Sequence, residues 1–139
     1  MTDIVVTAAQ VGIVYPDDAE TFDFIAAATI TAGQALYFDS AGKANLADAN
    51  GSGTLQFRGI ALNGGGAGQA ISGLKKGHCY GFTVSSVAYD AALFLSNTAG
   101  ALADAAGATS INCGRVVALP DSSLTKVVYI EADWLRTWS

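Results

Sequence analysis

Short apolar segments separated by turn-forming residues constrain the fold of this chain more than any other feature. Apolar and polar residues alternate through residues 54–62 and 78–85, as they do in a strand with one buried face. Residues 125–131 are rich in β-branched side chains, which favour strands. Gly, Asn, Asp and Ser separate these segments, and such residues form tight turns. The pattern predicts an all-β single domain, a β-barrel or jelly-roll-like sandwich with short turns, in which only residues 101–106 are expected to form a short helix.

The alternation in residues 78–85 also predicts which side chains share a face of the strand. Because successive side chains point to opposite faces, His78, Tyr80, Phe82 and Val84 are expected on one face. The opposite face carries small side chains, so another sheet or chain can approach it closely.

Two stretches of the chain repeat the same order of motifs at a spacing of about 56 residues. The first copy spans residues 35–62 and the second spans residues 92–119. In each copy an apolar segment meets a Gly turn, a short apolar segment follows, and a strand that opens with Gly comes last. Two related β units packed side by side suit a sandwich or a barrel. The alternative is a chance similarity between segments that are rich in Ala and Gly.

The size and charge of the chain argue against several classes of function. Its 139 residues fit one domain that can bury a core without a metal or a disulfide. The net charge of -5 and the pI near 4.4 argue against binding to nucleic acid, because phosphates attract basic surfaces. The chain has a single His, whereas most acid-base and metal chemistry uses this side chain. We therefore expect a protein that is not an enzyme and needs no cofactor.

The amino terminus and the cysteines bear on where the protein resides. No basic residue precedes an apolar stretch in residues 1–11, so the layout of a secretory signal is missing. The uncharged run 24–38 is shorter than the about 20 apolar residues of a transmembrane helix. We therefore expect a protein that stays where it is made and does not enter a membrane. Cys79 and Cys113 fit either two buried thiols in a reducing compartment or one disulfide.

The chemical motifs lack the spacing that their chemistry requires. The glycine-rich residues 64–68 lack the third Gly of a dinucleotide-binding loop. His78 has no second His or Cys at metal-ligand spacing. An acidic cluster consists of Asp17, Asp18, Glu20 and Asp23. It lacks the Gly that a helix-loop-helix calcium site needs at its sixth position. We expect no metal site, and we interpret this cluster as a solvated face or as a contact for a basic partner.

Several motifs of small and apolar residues recur along residues 31–132. They are residues 31–39 (TAGQALYFD), 42–44 (GKA), 59–62 (GIAL), 89–94 (YDAALF) and 113–118 (CGRVVA). In these motifs the chain resembles the small decoration, or cement, proteins of tailed-bacteriophage capsids. The resemblance implies an all-β body that attaches as a homodimer or homotrimer to the outside of the capsid, binds the major capsid protein and stabilises the shell. It also implies a virion protein that is made in the host cytoplasm.

Residues 1–30 depart from the commoner pattern of that family, and two interpretations of them remain open. They contain five acidic residues and no basic residue. As an arm, they would add a strand to the sheet of a neighbouring subunit, with Val5, Val11 and Ile13 filling pockets. As part of the body, they would form strands of the same barrel as residues 31–139.

Candidate contact residues lie near both ends of the chain. Trp134 and Trp138 are expected to pack in an oligomer contact or in the core. The alternative function is a non-enzymatic β-sandwich binding module, for example for carbohydrate, with Tyr80, Tyr89, Trp134 or Trp138 as stacking platforms. The candidate capsid or oligomer contacts are Val5, Val11, Ile13, Tyr15, Asp17, Asp18, Trp134 and Trp138.

Overall fold

The computed structural model describes residues 2–51 and 53–139, and their regular structure is almost entirely β. The first six strands are β1 (Val5–Val6), β2 (Gly12–Ile13), β3 (Glu20–Ile25), β4 (Ala35–Phe38), β5 (Ala44–Leu46) and β6 (Gly59–Ala61). The next six are β7 (Ala70–Tyr80), β8 (Phe82–Thr83), β9 (Ala92–Leu95), β10 (Leu102–Ala103), β11 (Asn112–Ala118) and β12 (Lys126–Glu131). Two short 3-10 turns occur at Ala8–Gln10 and Pro16–Asp18. The predicted all-β class is confirmed.

Ten of the strands form one curled antiparallel sheet, and β1 pairs with β8 in a small separate sheet. Eight strands of the large sheet follow the order β10-β9-β11-β12-β7-β6-β4-β5, and β2 and β3 also pair with β7. Strand β7 is the longest, with 11 residues. It pairs with β6 and β3 near its beginning and with β12 and β2 near its end. This strand therefore connects the two halves of the curled sheet.

The two motif copies in the sequence fold into units with the same strand pairing. In the first copy β4 pairs with both β5 and β6, and in the second β9 pairs with both β10 and β11. The last strand of each copy then pairs with the strand that follows it, β6 with β7 and β11 with β12. The predicted pair of related β units is confirmed, and β7 and β12 join the two units by antiparallel pairing.

The apolar core is divided into two clusters by the sheet. Ile60 belongs to the larger cluster and its neighbour Ala61 to the smaller one. Since successive side chains of a strand point to opposite faces, β6 is buried on both faces. Phe22 and Phe24 of β3 pack in the smaller cluster, which forms a second apolar layer over the first unit.

Two predictions of local structure are wrong. The predicted helix at residues 101–106 is instead the short strand β10, whose Leu102 and Ala103 pair with β9 and are buried. The predicted strand at residues 54–62 is confined to β6, although Leu55 and Phe57 are buried as the alternation requires. In both segments, tertiary contacts outweigh the local propensity for helix or strand.

The predicted common face of residues 78–85 is also wrong. Gly81 has a φ of +104° and interrupts the strand between β7 and β8, a conformation that Gly adopts without steric cost. The side-chain alternation is therefore broken, and Cys79 is buried in the same core cluster as Phe82 and Val84. Tyr80 is exposed instead.

The amino-terminal strands pair within their own chain. β2 and β3 pair with β7, and β1 pairs with β8. Asp3 forms a bridge to Ala103, and the Ile4 N–H donates a 2.8 Å hydrogen bond to the Leu102 carbonyl oxygen. In the single chain, the segment before residue 31 is thus built into the same body as the rest.

Candidate functional site

Five of the eight candidate contact residues, Trp134 among them, pack against their own chain. Val11 and Ile13 are half-buried against the larger core cluster, and Trp138 is buried in it. The Tyr15 ring lies edge-on to His78 with ring centroids 5.1 Å apart. These contacts fix the amino-terminal strands and the carboxyl end to the body, so only part of each side chain remains for a partner.

Trp134 covers the apolar layer on the first unit. Its ring contacts Phe22 and Phe38 edge-on, at centroid distances of 5.1 and 5.5 Å, and Lys75 lies over it at 5.1 Å. Its indole N–H donates a 2.7 Å hydrogen bond to the Arg58 carbonyl oxygen. These contacts give Trp134 a structural role and leave about a third of it exposed.

Val5, Asp17 and Asp18 are the candidates that the structure leaves most exposed. The two aspartates lie in the 3-10 turn between β2 and β3. Val5 is 65% exposed and lies opposite Thr83 in the β1–β8 pair. Thr83 lines a groove that the sequence did not indicate, so Val5 lies beside a larger exposed surface.

This surface, here called the Leu124 surface, consists of Tyr89, Leu124 and the residues that line the two grooves beside them. Tyr89 is 49% exposed and Leu124 is 53% exposed. A groove of about 410 Å³ lies on one side of this pair, between Phe82 and Lys126. A second groove of about 300 Å³ lies on the other side, against β11. The two exposed apolar side chains therefore form a ridge between two concave surfaces.

Leu124 has a strained backbone conformation, which hydrogen bonds of the turn maintain. Its φ is +48°, in the left-handed region that Gly and Asn favour and that costs other residues about 1–2 kcal/mol. Asp121 fixes the turn, because the Thr125 N–H and hydroxyl donate to its carboxylate at 2.9 and 2.7 Å. The same hydrogen bonds lower the pKa of the Asp121 carboxyl. The turn that precedes β12 thus presents a leucine where a polar or glycine residue is usual.

Lys126 connects the Leu124 surface to the loop before β9. Its ammonium group donates to the carbonyl oxygens of Ser85, at 3.1 Å, and of Val87. It also lies 4.9 Å from the centre of the Tyr89 ring. Such contacts hold the loop and the ring in place, so the surface is formed before any partner arrives.

His78 and the two cysteines are placed by packing. The His78 ring lies between the rings of Tyr15 and Tyr129. Cys79 and Cys113 are both buried free thiols, the first of the two alternatives left open by the sequence. Burial raises the pKa of the Cys79 thiol to about 11 and also raises that of Cys113. Within the described part of the chain, no group of three metal-ligating side chains comes together.

The four aromatic residues considered as carbohydrate platforms do not form one site. Tyr80 is exposed on β7, while Tyr89 belongs to the Leu124 surface. Trp134 and Trp138 are largely occupied by contacts within the chain. Each of these residues was considered as an alternative platform, and Tyr80 and Tyr89 are the two that remain largely exposed.

Comparisons with known proteins identify no relative of this chain. A scan against protein-family models found no matching family, and searches of curated proteins and of solved structures found no similar protein. None of the helical segments in residues 2–51 and 53–139 has the length and apolarity that crossing a membrane as a helix requires.

Proposed function

We propose that this chain is a non-enzymatic structural protein of a phage virion, which binds the outer surface of the capsid and stabilises the shell. The proposal is supported by the motifs of residues 31–132 that resemble capsid decoration proteins. It is also supported by the all-β fold. The observation that carries it is the exposed Leu124, which the strained turn before β12 presents beside Tyr89.

The physical argument starts from the cost of this arrangement to the isolated protein. An exposed leucine in the left-handed region destabilises the folded chain and leaves apolar area in water. Strained positions are often found at binding sites, where an interaction compensates for them. Burial of Leu124 and Tyr89 against the major capsid protein would supply such an interaction. Because the contact would repeat over a closed lattice in an oligomer, each single contact need not be strong.

We further propose a homodimer or homotrimer on the capsid exterior. This state is what the family resemblance implies. Several contacts per oligomer would increase the avidity for a repeating surface. Sedimentation of the purified protein tests the proposed state, and a monomer at micromolar concentration that also occupies shells as a monomer contradicts it.

A shell-binding assay tests the function. If the proposal is correct, a gene for a major capsid protein lies beside the gene for this chain. Empty shells of that protein serve as the binding partner in the assay. Co-sedimentation with these shells should be strong for the unmodified protein and weak for Leu124→Asn. The matched control is Leu135→Asn, because Leu135 is 97% exposed and lies outside the Leu124 surface.

The outcomes separate the function from the assigned surface. If the unmodified protein binds shells and only Leu124→Asn loses binding, both parts of the proposal hold. If both variants bind as well as the unmodified protein, attachment lies elsewhere on the chain. If no capsid gene lies nearby and shells do not bind the unmodified protein, the proposed function is wrong.

A further inference from the structure

Strands β8 and β12 border the groove of about 410 Å³ on the Leu124 surface, here called the β8–β12 groove. Residues 82–85 line one side of it and residues 123–126 line the other. Before the groove begins, β7 and β12 are paired as far as Cys79 and Val128. At Gly81, whose φ is +104°, the strand is interrupted, and the chain continues as β8 in a separate sheet. The groove is therefore a gap between two strands that have separated.

Both strands have an unpaired edge at this gap. β8 pairs with β1 in a sheet of two strands. Lys126 pairs with Ala118 of β11, and the pairing of β12 with β7 begins two residues later, at Val128. Within residues 2–51 and 53–139, no strand pairs with the second edge of β8 or with β12 at Lys126 on the side away from β11. Such edges offer backbone N–H and C=O groups to an added strand.

Contacts on the far side of β8 keep the two strands apart. The Thr7 N–H donates a 2.9 Å hydrogen bond to the Gly81 carbonyl oxygen. Gly81 also lies so close to the amino-terminal segment that a Cβ atom built on it would be 2.8 Å from the Val11 Cα. The gap is therefore present in the free protein, and an added strand would not need to open it.

The charge at the groove favours an acidic partner. Among the described residues that line it, Lys126 alone is charged. Its ammonium group donates to the carbonyl oxygens of Ser85 and Val87, which are neutral, and it forms no ion pair in the described part of the chain. Asp121 of the same turn accepts hydrogen bonds from Thr125 instead. One ammonium N–H and the whole positive charge thus remain for a carboxylate of the partner.

We infer that the β8–β12 groove binds an extended segment of a partner protein, which adds as a strand and places a carboxylate at Lys126. Backbone hydrogen bonds supply affinity in strand addition, and alternate side chains supply specificity. Apolar side chains of the segment would contact Leu124 and Tyr89. The inference rests on the proposed function for the source of the segment, the major capsid protein. It differs from the amino-terminal arm considered from the sequence, because here the partner supplies the added strand and this chain supplies the edges.

Titration with synthetic peptides tests the inference without a shell. The acidic probe is acetyl-TVTETVT-amide, whose Val and Glu side chains share one face of an extended strand. One comparison peptide has Lys in place of Glu. Another carries N-methyl groups on its three central residues, which blocks backbone pairing but keeps the side chains. We expect the acidic probe to shift the NMR signals of amides in residues 82–85 and 123–127, and to bind at least about tenfold more tightly than either comparison.

Variants of Lys126 connect this preference to its charge. Lys126→Met keeps the length of the side chain and should remove the preference for the acidic probe over the Lys peptide. Lys126→Arg keeps the charge and should retain the preference. The matched control is Lys43→Met, which removes an exposed charge outside the groove and should change neither affinity nor preference. Thermal unfolding of each variant shows whether the fold is retained.

Three results with peptides overturn the inference. One is that the acidic probe shifts none of these amides at millimolar concentration. Another is that either comparison peptide binds as tightly as the acidic probe. The third is that the same amides shift when the protein is concentrated without peptide, and that Lys126→Met abolishes this self-association, which identifies a second copy of the chain as the occupant.

Co-sedimentation with shells separates this inference from the proposed function. Lys126→Met should weaken shell binding, whereas Lys43→Met should not. If shells bind the unmodified protein and Lys126→Met equally well, the inference is wrong and the proposed function stands. If the acidic probe binds in the groove but shells do not bind the protein, the strand site is supported and the proposed function is wrong.

Discussion

The hydroxyl group of Tyr89 donates a 2.7 Å hydrogen bond to the backbone carbonyl oxygen of Leu124. The bond joins the loop before β9 to the turn before β12, which are 35 residues apart in sequence. It connects the two large apolar side chains of the Leu124 surface through a polar contact, while both side chains stay exposed. The ridge is therefore held by hydrogen bonds and does not depend on burial of its own apolar atoms.

Replacement of Leu124 should stabilise the isolated protein. Asn tolerates the left-handed conformation, so Leu124→Asn should raise the free energy of unfolding by about 0.5–1 kcal/mol. Urea unfolding measures the change, and Leu135→Asn should be close to neutral because that side chain is almost fully exposed. A clear loss of stability in Leu124→Asn would show that Leu124 packs usefully and that its strain has been overestimated.

Substitution of Gly59 should be among the most damaging changes in the sheet. A Cβ atom at Gly59 would overlap the Leu74 carbonyl oxygen of β7 and lie 2.8 Å from the Phe22 ring, and the φ of +149° adds strain. Gly59→Ala should therefore cost at least about 3 kcal/mol, because β6 must move away from β7.

Gly42→Ala is the matched control for the substitution of Gly59. Gly42 also has a positive φ, of +83°, but nothing lies within 4 Å of a Cβ atom built there. Its substitution should cost about 1 kcal/mol, from the backbone conformation alone. Equal effects of the two substitutions in urea unfolding would contradict the close approach of β6 and β7.

Much of the fold could be predicted from local sequence, and the exceptions have physical causes. The β-branched residues of β12 and the repeated motif order gave the correct strand and the correct pairing of the two units. The alanine-rich segment after Gly100 was expected to be helical. It is a strand because Leu102 is buried and its carbonyl accepts a hydrogen bond from Ile4, and such distant partners leave no trace in local propensity.

The surfaces proposed for binding were harder to predict. Pro120 and Asp121 indicate a turn in the sequence. The left-handed conformation of Leu124 could not be predicted, because Gly or Asn usually occupies such a position. The two tryptophans were expected in packing or in contact, and the structure shows that both pack within the chain. A polar groove on β11 and β12 was missed because its lining residues are brought together by the pairing of β11 with β12 and by the path of residues 133–138.

Alkaline pH should destabilise the protein. The pKa of Cys79 is raised to about 11 in the fold by burial, and that of Cys113 is also raised, whereas an unfolded thiol has a pKa of about 8.5. The unfolded chain therefore loses these protons first. The stability linked to the neutral thiols is complete below about pH 8.5 and is lost as the pH rises toward the folded values.

Unfolding in urea between neutral pH and pH about 10.5 measures this loss. Tyr129, whose pKa is raised to about 12 by burial and by Glu131, acts in the same direction at the upper end. Removal of both thiols, in Cys79→Ala with Cys113→Ala, should make the pH dependence shallower even if the variant is less stable overall. An unchanged slope would mean that other groups cause the alkaline loss.

The interpretation of the amino-terminal segment can be tested at two neighbouring residues. Ile4 is 7% exposed and packs in the larger core cluster, whereas Val5 is 65% exposed. If this segment is part of the body, Ile4→Ala should cost about 2–4 kcal/mol and Val5→Ala less than about 0.5 kcal/mol. Similar small effects would mean that the segment is loosely attached and available as an arm.

Deletion of residues 1–12 extends this test to the whole segment. The deletion removes Ile4, the β1–β8 pair and the carboxylate of Asp3, which accepts a hydrogen bond from the buried Ser96 hydroxyl. It would leave apolar core and the edge of β10 uncovered, so we expect a variant that unfolds at a lower urea concentration than Ile4→Ala or that aggregates. Circular dichroism and urea unfolding measure the result. A truncated protein that keeps its full stability but no longer binds shells would instead support the arm, because attachment would then depend on strands that the body does not need.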